Sequence, residues 1–221
     1  MGLPIHLLHT PDGFLSGPIA IAMWVVTAGV IAYAVRRTNE SLDERAVPLL
    51  GVTAAFIFAA QMFNFPVGPG MSGHLLGGVL AAVMLGPWAG TLVMTAVVAV
   101  QALIFQDGGL LVMGANIFNM GVVGTLGGYW LYRAIAGLLG GEERRRLPAA
   151  GIAAWTSVVA GAAAISVQLV ASGVAPLGVL PIMVGAHALI GIGEALITVA
   201  ALAFIAKTRA DLLRLRDAQP V

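Results

Sequence analysis

The sequence predicts an all-α integral membrane protein with about seven transmembrane helices, its N-terminus outside and its C-terminus cytoplasmic. Three observations predict it. Of 221 residues, 59% are hydrophobic and only 10% charged, where a soluble domain of this size carries about 25% charged residues. Too few charges remain to cover a water-facing surface, so lipid must surround most of the chain. Apolar stretches recur at the length a bilayer demands, about 20 residues for a hydrocarbon core about 30 Å thick. Finally, all 11 lysines and arginines fall in alternate connections, as the positive-inside rule requires of a multi-pass protein.

Taken in order, the expected spans are 18–36, 46–65, 73–87, 88–105, 114–135, 149–171 and 181–206. Pro18 and Pro148 each stand at a helix start, where a missing N–H costs nothing. Spans three and four are separated only by Gly86-Pro87 and are short; they are two spans or a re-entrant hairpin, and either returns the chain to the same side. Arg36, Arg37 and Arg45 follow span one. Arg133, Arg144, Arg145 and Arg146 follow span five, and Lys207, Arg209, Arg214 and Arg216 follow span seven. The connections at 1–17, 66–72, 106–113 and 172–180 carry no lysine or arginine. Among the 29 glycines, the pairs Gly73/Gly77 and Gly124/Gly128 put small residues one helical turn apart, for close packing within the chain or against a partner. The first reading is preferred. No repeat and no second domain is visible: 1–206 reads as one transmembrane domain with an outer N-terminal segment at 1–17, and 207–221 as a cytoplasmic tail holding at most a short amphipathic helix.

The composition also excludes. Without cysteine there is no disulfide, thiolate metal site or thiol catalysis. No basic patch suits nucleic acid. The single lysine, Lys207, follows no glycine run, so ATP cannot bind in the Walker manner. Neither His-Glu-x-x-His nor Gly-x-Ser-x-Gly occurs, which argues against an intramembrane protease or lipase. The chain is therefore not expected to be an enzyme. The N-terminus has neither a charged n-region nor a small-residue cleavage site, so no signal peptide is expected.

The groups with chemistry to offer gather on the predicted outer side: His6, His9, Asp12, His74, Asp107 and, within span seven, His187 with Glu194 deeper. His74 follows the turn-rich run Gly68-Pro69-Gly70-Met71-Ser72-Gly73, with Ser72 as an N-cap. A helix N-terminus disfavours imidazolium, leaving a neutral imidazole that either binds a metal ion or hydrogen-bonds a loop carbonyl. His9 lies in a structured turn made by Pro11 and Asp12-Gly13, and two outer histidines together favour a metal such as nickel, cobalt, copper or zinc. His187 and Glu194 share one helix face. They form a proton relay or, as preferred here, a structural polar pair tying span seven to its neighbours. Gln61, Gln101, Asn64, Asn116 and Asn119 are positioned to cross-link helices, and Asn116 falls near the histidines as a supporting group.

Four blocks in order then resemble a known family. His9-Thr10-Pro11-Asp12-Gly13-Phe14-Leu15-Ser16 resembles the N-terminal His-x-Pro-Asp-Gly-Phe signature of the CbiM/NikM family, the cobalt- and nickel-binding membrane components of energy-coupling-factor (ECF) ABC transporters. Ser72-Gly73-His74-Leu75-Leu76-Gly77-Gly78 with Leu85-Gly86-Pro87-Trp88-Ala89, Asn116-Ile117-Phe118-Asn119-Met120-Gly121, and His187-Ala188-Leu189-Ile190-Gly191-Ile192-Gly193-Glu194 are similar to its later blocks. The resemblance spans nearly the whole chain. It implies seven helices and an N-terminal segment tucked into the outer face. It implies an ion held by the terminal amine, the backbone nitrogen and imidazole of the second residue, and the histidine of the Ser-Gly-His block. On this chain the histidines are His9 and His74. An amine, the next amide nitrogen and two imidazoles make a tetragonal set that suits Ni(II) or Cu(II) and accepts Co(II).

The sequence departs from the pattern where eight residues, Met1 to Leu8, precede His9. Two readings follow. Either His6 replaces the amine, or translation starts at Leu8, since UUG and CUG codons initiate and are read as Met; the second is preferred. The resulting expectation is a cobalt or nickel uptake subunit of a bacterial or archaeal cytoplasmic membrane. It carries the ion as substrate and no cofactor. Its partners are an ECF coupling membrane protein and two ATPase subunits, with room for a small accessory membrane subunit. The competing class is a stand-alone proton-coupled carrier that uses His187 and Glu194. Cobalt and nickel are not separated at this level.

Overall fold

A computed structural model describes residues 9–41, 46–68, 71–140, 143–210 and 212. The elements are helices α1 (Gly17–Ser41) and α2 (Val47–Gln61), strands β1 (Asn64–Gly68) and β2 (Met71–His74), and helices α3 (Gly78–Leu85) and α4 (Pro87–Ile104). A long rod follows, in which α5 (Met113–Ile117) passes into a π-helical segment (Phe118–Gly127) and then α6 (Gly128–Leu138). Helices α7 (Glu143–Ala171) and α8 (Val179–Thr208) complete the chain. Among the described residues four helices, α1, α4, α7 from Arg146 onward, and α8, are long and apolar enough to cross a membrane, and α2 is a shorter apolar helix. The described residues form an all-helical membrane protein apart from one small antiparallel hairpin, β1–β2, with Asn64 opposite His74 and an irregularity between Pro66 and Gly68.

The layering follows from side-chain size and lipid. Helix α3 is buried at every residue. It packs against α4, α7 and the π-helical segment in a core that includes Val79, Leu80, Met94, Val98, Ile117, Tyr129 and Ala153. In contrast, α1 and α8 turn large apolar side chains outward, Val25 and Leu189 among them (69% and 72% exposed), as a lipid-facing surface requires. The glycines at 124 and 128 make the closest crossing. A Cβ at Gly124 would collide with Leu76 Cδ2, and one at Gly128 would come within 2.6 Å of Val79 Cγ2 and 3.2 Å of Ser157 Cβ. These small residues therefore serve packing within the chain.

Four sequence expectations change here. Span three is not a helix from residue 73: β2 ends at His74, residues 75–77 are irregular, and the helix starts after Gly77, whose φ of +75° is left-handed and suits glycine. Eight residues of α3 rise about 12 Å, less than half a bilayer core. Ser72 consequently lies in β2 and the N-cap position of the next helix is Gly77, and Gly73 and Gly77 are not one helical turn apart. The first turns of α7 form before Pro148, which sits inside that helix. Chain direction gathers the described cations Arg36, Arg37, Arg133, Arg146, Lys207 and Arg209 at one end of the bundle. His9, His74 and Asp107 lie at the other.

Candidate metal site

The N-terminal segment is built into that second end by backbone contacts rather than by hydrophobic bulk. The carboxylate of Asp12 accepts the N–H groups of Leu110 (3.1 Å), Leu111 (2.9 Å) and Val112 (3.2 Å), the unpaired donors that precede α5. Thr10 and Asn116 bond reciprocally: the Thr10 N–H donates to Asn116 Oδ1 at 3.2 Å, and Asn116 Nδ2 donates to the Thr10 carbonyl at 3.1 Å. Gly109 N–H also donates to the Thr10 carbonyl (2.9 Å). The 105–112 loop is held in turn by α1, through Trp24 Nε1 donating to Leu111 O (2.8 Å) and the Thr27 hydroxyl to Gly114 O (2.8 Å). Leu15, Ala20, Val112 and Ala115 close a small apolar cluster beneath.

This framework buries His9 (6% exposed). Its imidazole lies 5.0 Å, centroid to centroid, from that of His74. The His9 N–H donates to Asp107 Oδ1 at 3.3 Å, ring Nδ1 is 3.6 Å from Asp107 Oδ2, and Nε2 is 3.0 Å from Met120 Sδ. Asp107 is aimed inward by Gln106, whose φ of 56° turns the chain so that the Asp107 N–H reaches the Gln101 carbonyl at 2.9 Å. Gly108, also left-handed at φ +101°, leaves room for His9: a Cβ there would stand 2.8 Å from His9 Cβ.

His74 sits at the end of β2. Its Nδ1 is 2.6 Å from the Leu75 carbonyl, an oxygen that can only accept, so Nδ1 carries the proton and Nε2 keeps a free lone pair. Burial first and the neighbouring His9 second push its pKa down to about 4. Burial and His9, not a helix dipole, disfavour the imidazolium at this position, since no helix begins there. Of the two roles weighed for this residue, the bond to a loop carbonyl is present, made by Nδ1.

The remaining candidates separate. Glu194 is buried and turned to the irregular segment after His74, accepting from Leu76 N–H at 2.8 Å and Gly77 N–H at 2.7 Å. His187 does not bond to it; its Nδ1 donates to Met183 O one turn back (2.8 Å), and its Nε2 edge lies under Gly73. Asn119 exchanges two hydrogen bonds with Gln168 on α7 (3.0 and 2.8 Å), a buried cross-link that does not touch the histidines. His6 and Leu8 lie outside the described residues. Asp107 as a partner of His9, Met120, and the pair Gln61–Gln101 were not identified as site groups from sequence. A left-handed glutamine and an isolated methionine leave no pattern to read. Among the described residues no three His, Cys, Asp or Glu side chains form a ready cluster.

Residues 9–212 match the family profile described as the cobalt uptake substrate-specific transmembrane region, CbiM. The chain belongs to the CbiM family. Its relatives include a Haloquadratum walsbyi protein described as a metal transport protein, 42% identical over 93% of each chain. Another is a fused nickel transport protein NikMN of Archaeoglobus fulgidus, 37% identical over 96% of this chain and 70% of that one. A metal transport protein of Methanocaldococcus jannaschii is 35% identical over 96% of this chain and 97% of its own. Two crystal structures have the same fold. A truncated transition metal transporter superposes with TM-score 0.83 at 31% identity, covering 90% of this chain and 98% of its own. A second transition metal transporter gives 0.82 at 32%, covering 90% and 92%. Within this CbiM chain, the matched region begins at His9 and takes in all four blocks.

Proposed function

We propose that this CbiM protein binds Ni2+ or Co2+ through His9 and His74 at the outer face of the cytoplasmic membrane of a bacterium or archaeon, N-terminus outside. In this reading it mediates uptake as the substrate-specific subunit of an ECF transporter, beside a coupling membrane protein and two ATPase subunits. The observation that carries the reading is the pairing of two neutral-capable imidazoles 5.0 Å apart in a segment fastened by backbone hydrogen bonds. Imidazole nitrogens suit nickel and cobalt, the relatives named for nickel and for metal transport match 93% or more of this chain, and a transition metal transporter shares its fold. The chain has no nucleotide-binding glycine loop of its own, so ATP-driven uptake needs separate subunits.

The proton-carrier reading gains no support from Glu194: both of its oxygens are engaged by backbone amides. Isothermal titration of the full chain with Ni2+ and with Co2+, repeated on His9→Ala and His74→Ala, tests the site. Ion uptake by cells with and without the ATPase subunits tests the partnership. Undiminished binding in both variants would displace the site, and uptake that ignores the ATPases would favour a carrier that works alone.

A further inference from the structure

Between His74 and α3 the backbone is neither strand nor helix, and it runs through the buried interior. Unpaired backbone groups in such a place cost several kcal/mol each, so each must find a partner. Glu194 of α8 takes the N–H groups of Leu76 and Gly77, at 2.8 and 2.7 Å. Gln61, at the end of α2, donates its Nε2 to the Leu76 carbonyl at 2.7 Å, and is itself held by Gln101 Nε2 of α4 at 2.9 Å. Gln61, Gln101 and Glu194 are all fully buried. Two helices thus send one polar side chain each to a turn of three residues, while a third helix holds one of them through Gln101, and the adjoining carbonyl of that turn, Leu75 O, accepts the proton of His74 Nδ1 at 2.6 Å.

We infer that Glu194, with Gln61, is a positioning residue for the ion site: by fixing the 75–77 turn it orients the Leu75 carbonyl, which holds His74 in the Nδ1–H tautomer with Nε2 available to the ion. The inference rests on His74 being an ion ligand, as proposed above. A partner on the second nitrogen commonly sets the tautomer and direction of a metal-binding histidine. Here that partner is a backbone carbonyl with no rigidity of its own, because no helix or sheet ladder includes it, and the Glu194 carboxylate supplies the rigidity by accepting the N–H of the same peptide unit, that of Leu76, and the next one, that of Gly77. This also explains an acidic side chain deep among apolar helices, where an ionisable group otherwise costs stability.

The test uses the full-length protein in detergent and Ni2+ alone, read by titration calorimetry and by the ligand-field absorption of the bound ion. Glu194→Gln keeps the shape but turns a donor toward one of the two N–H groups; Gln61→Leu removes the donor on the other side of the turn. Each is expected to weaken Ni2+ binding roughly 10–100-fold, the usual cost of losing an outer partner of a ligand, and to change the absorption spectrum. Gln168→Leu, which breaks a buried amide pair that does not touch His74, is expected to lower thermal stability with affinity and spectrum unchanged. Nitrogen-15 NMR of histidine-labelled wild-type protein without metal is expected to show His74 protonated on Nδ1, a readout that needs no variant to fold. A wild-type affinity and spectrum in folded Glu194→Gln, or an Nε2–H tautomer at His74, overturns the inference. Full Ni2+ binding by His74→Ala overturns instead the reading on which it rests.

Discussion

His74 and His187 are near each other in space, yet their second nitrogens have different employment. His74 keeps a lone pair on Nε2 beside His9. His187 is tied to its own helix and faces the Gly73 backbone. His74→Ala is therefore expected to weaken Ni2+ or Co2+ binding by more than the roughly 10–100-fold cost of losing an outer partner, and His187→Ala to retain most of it; equal affinities by calorimetry would contradict this assignment. Asp12 touches no ion-binding group but gathers three N–H donors of the 110–112 loop. Its replacement by alanine removes a cap worth about 1 kcal/mol, so ion affinity is expected to fall roughly five-fold as the N-terminal segment loosens. Faster proteolysis near Pro11 in the absence of metal is the accompanying sign, and unchanged affinity and cleavage together would count against it.

At the scale of elements, the end of α4 is the place where sequence and backbone disagree most. Gln106 adopts φ 56°, a conformation that costs an L-residue about 1 kcal/mol and glycine almost nothing. The turn persists because the next N–H is bonded to Gln101 O and because Asp107 must return to His9. Gln106→Gly is expected to raise stability by roughly 0.5 kcal/mol, after allowing for the greater freedom of glycine in the unfolded chain, with ion affinity unchanged. A lowered thermal midpoint would show that the glutamine side chain contributes more than its backbone costs. The neighbouring α3 illustrates a different rule. Its helical start is delayed to Gly78, and side chains from α2 and α8 replace the hydrogen bonds that a longer helix would have made.

Across the whole molecule, the segregation of charge is the principal long-range feature. Lysine and arginine stay with water on the cytoplasmic side of a membrane, so a reporter fused after Val221 is expected inside and one inserted near Ser172 outside. The opposite result at both positions would invert the orientation and put the His9–His74 end in the cytoplasm. The same division leaves the two histidines and Asp107 at an end free of fixed cations among the described residues, where an arriving divalent ion meets no repulsion.

Membrane residence, the helical class, the alternation of charged connections and the four residue blocks were all legible in the amino-acid order. Each depends on local composition or on spacing along the chain, and lipid enforces both. The positions of His9, Asp12 and His74 as candidates were legible for the same reason: rare polar residues stand out in a chain that is 59% hydrophobic. Tertiary structure alone decided that His74 ends a strand, that Asp107 and Met120 flank His9, and that Glu194 answers to the backbone at 76–77 rather than to His187. The last two facts turn on partners 98 to 118 residues apart in the chain. An unpaired backbone group accepts whichever buried donor or acceptor the packing of helices brings to it, and no spacing rule along a single chain records that choice.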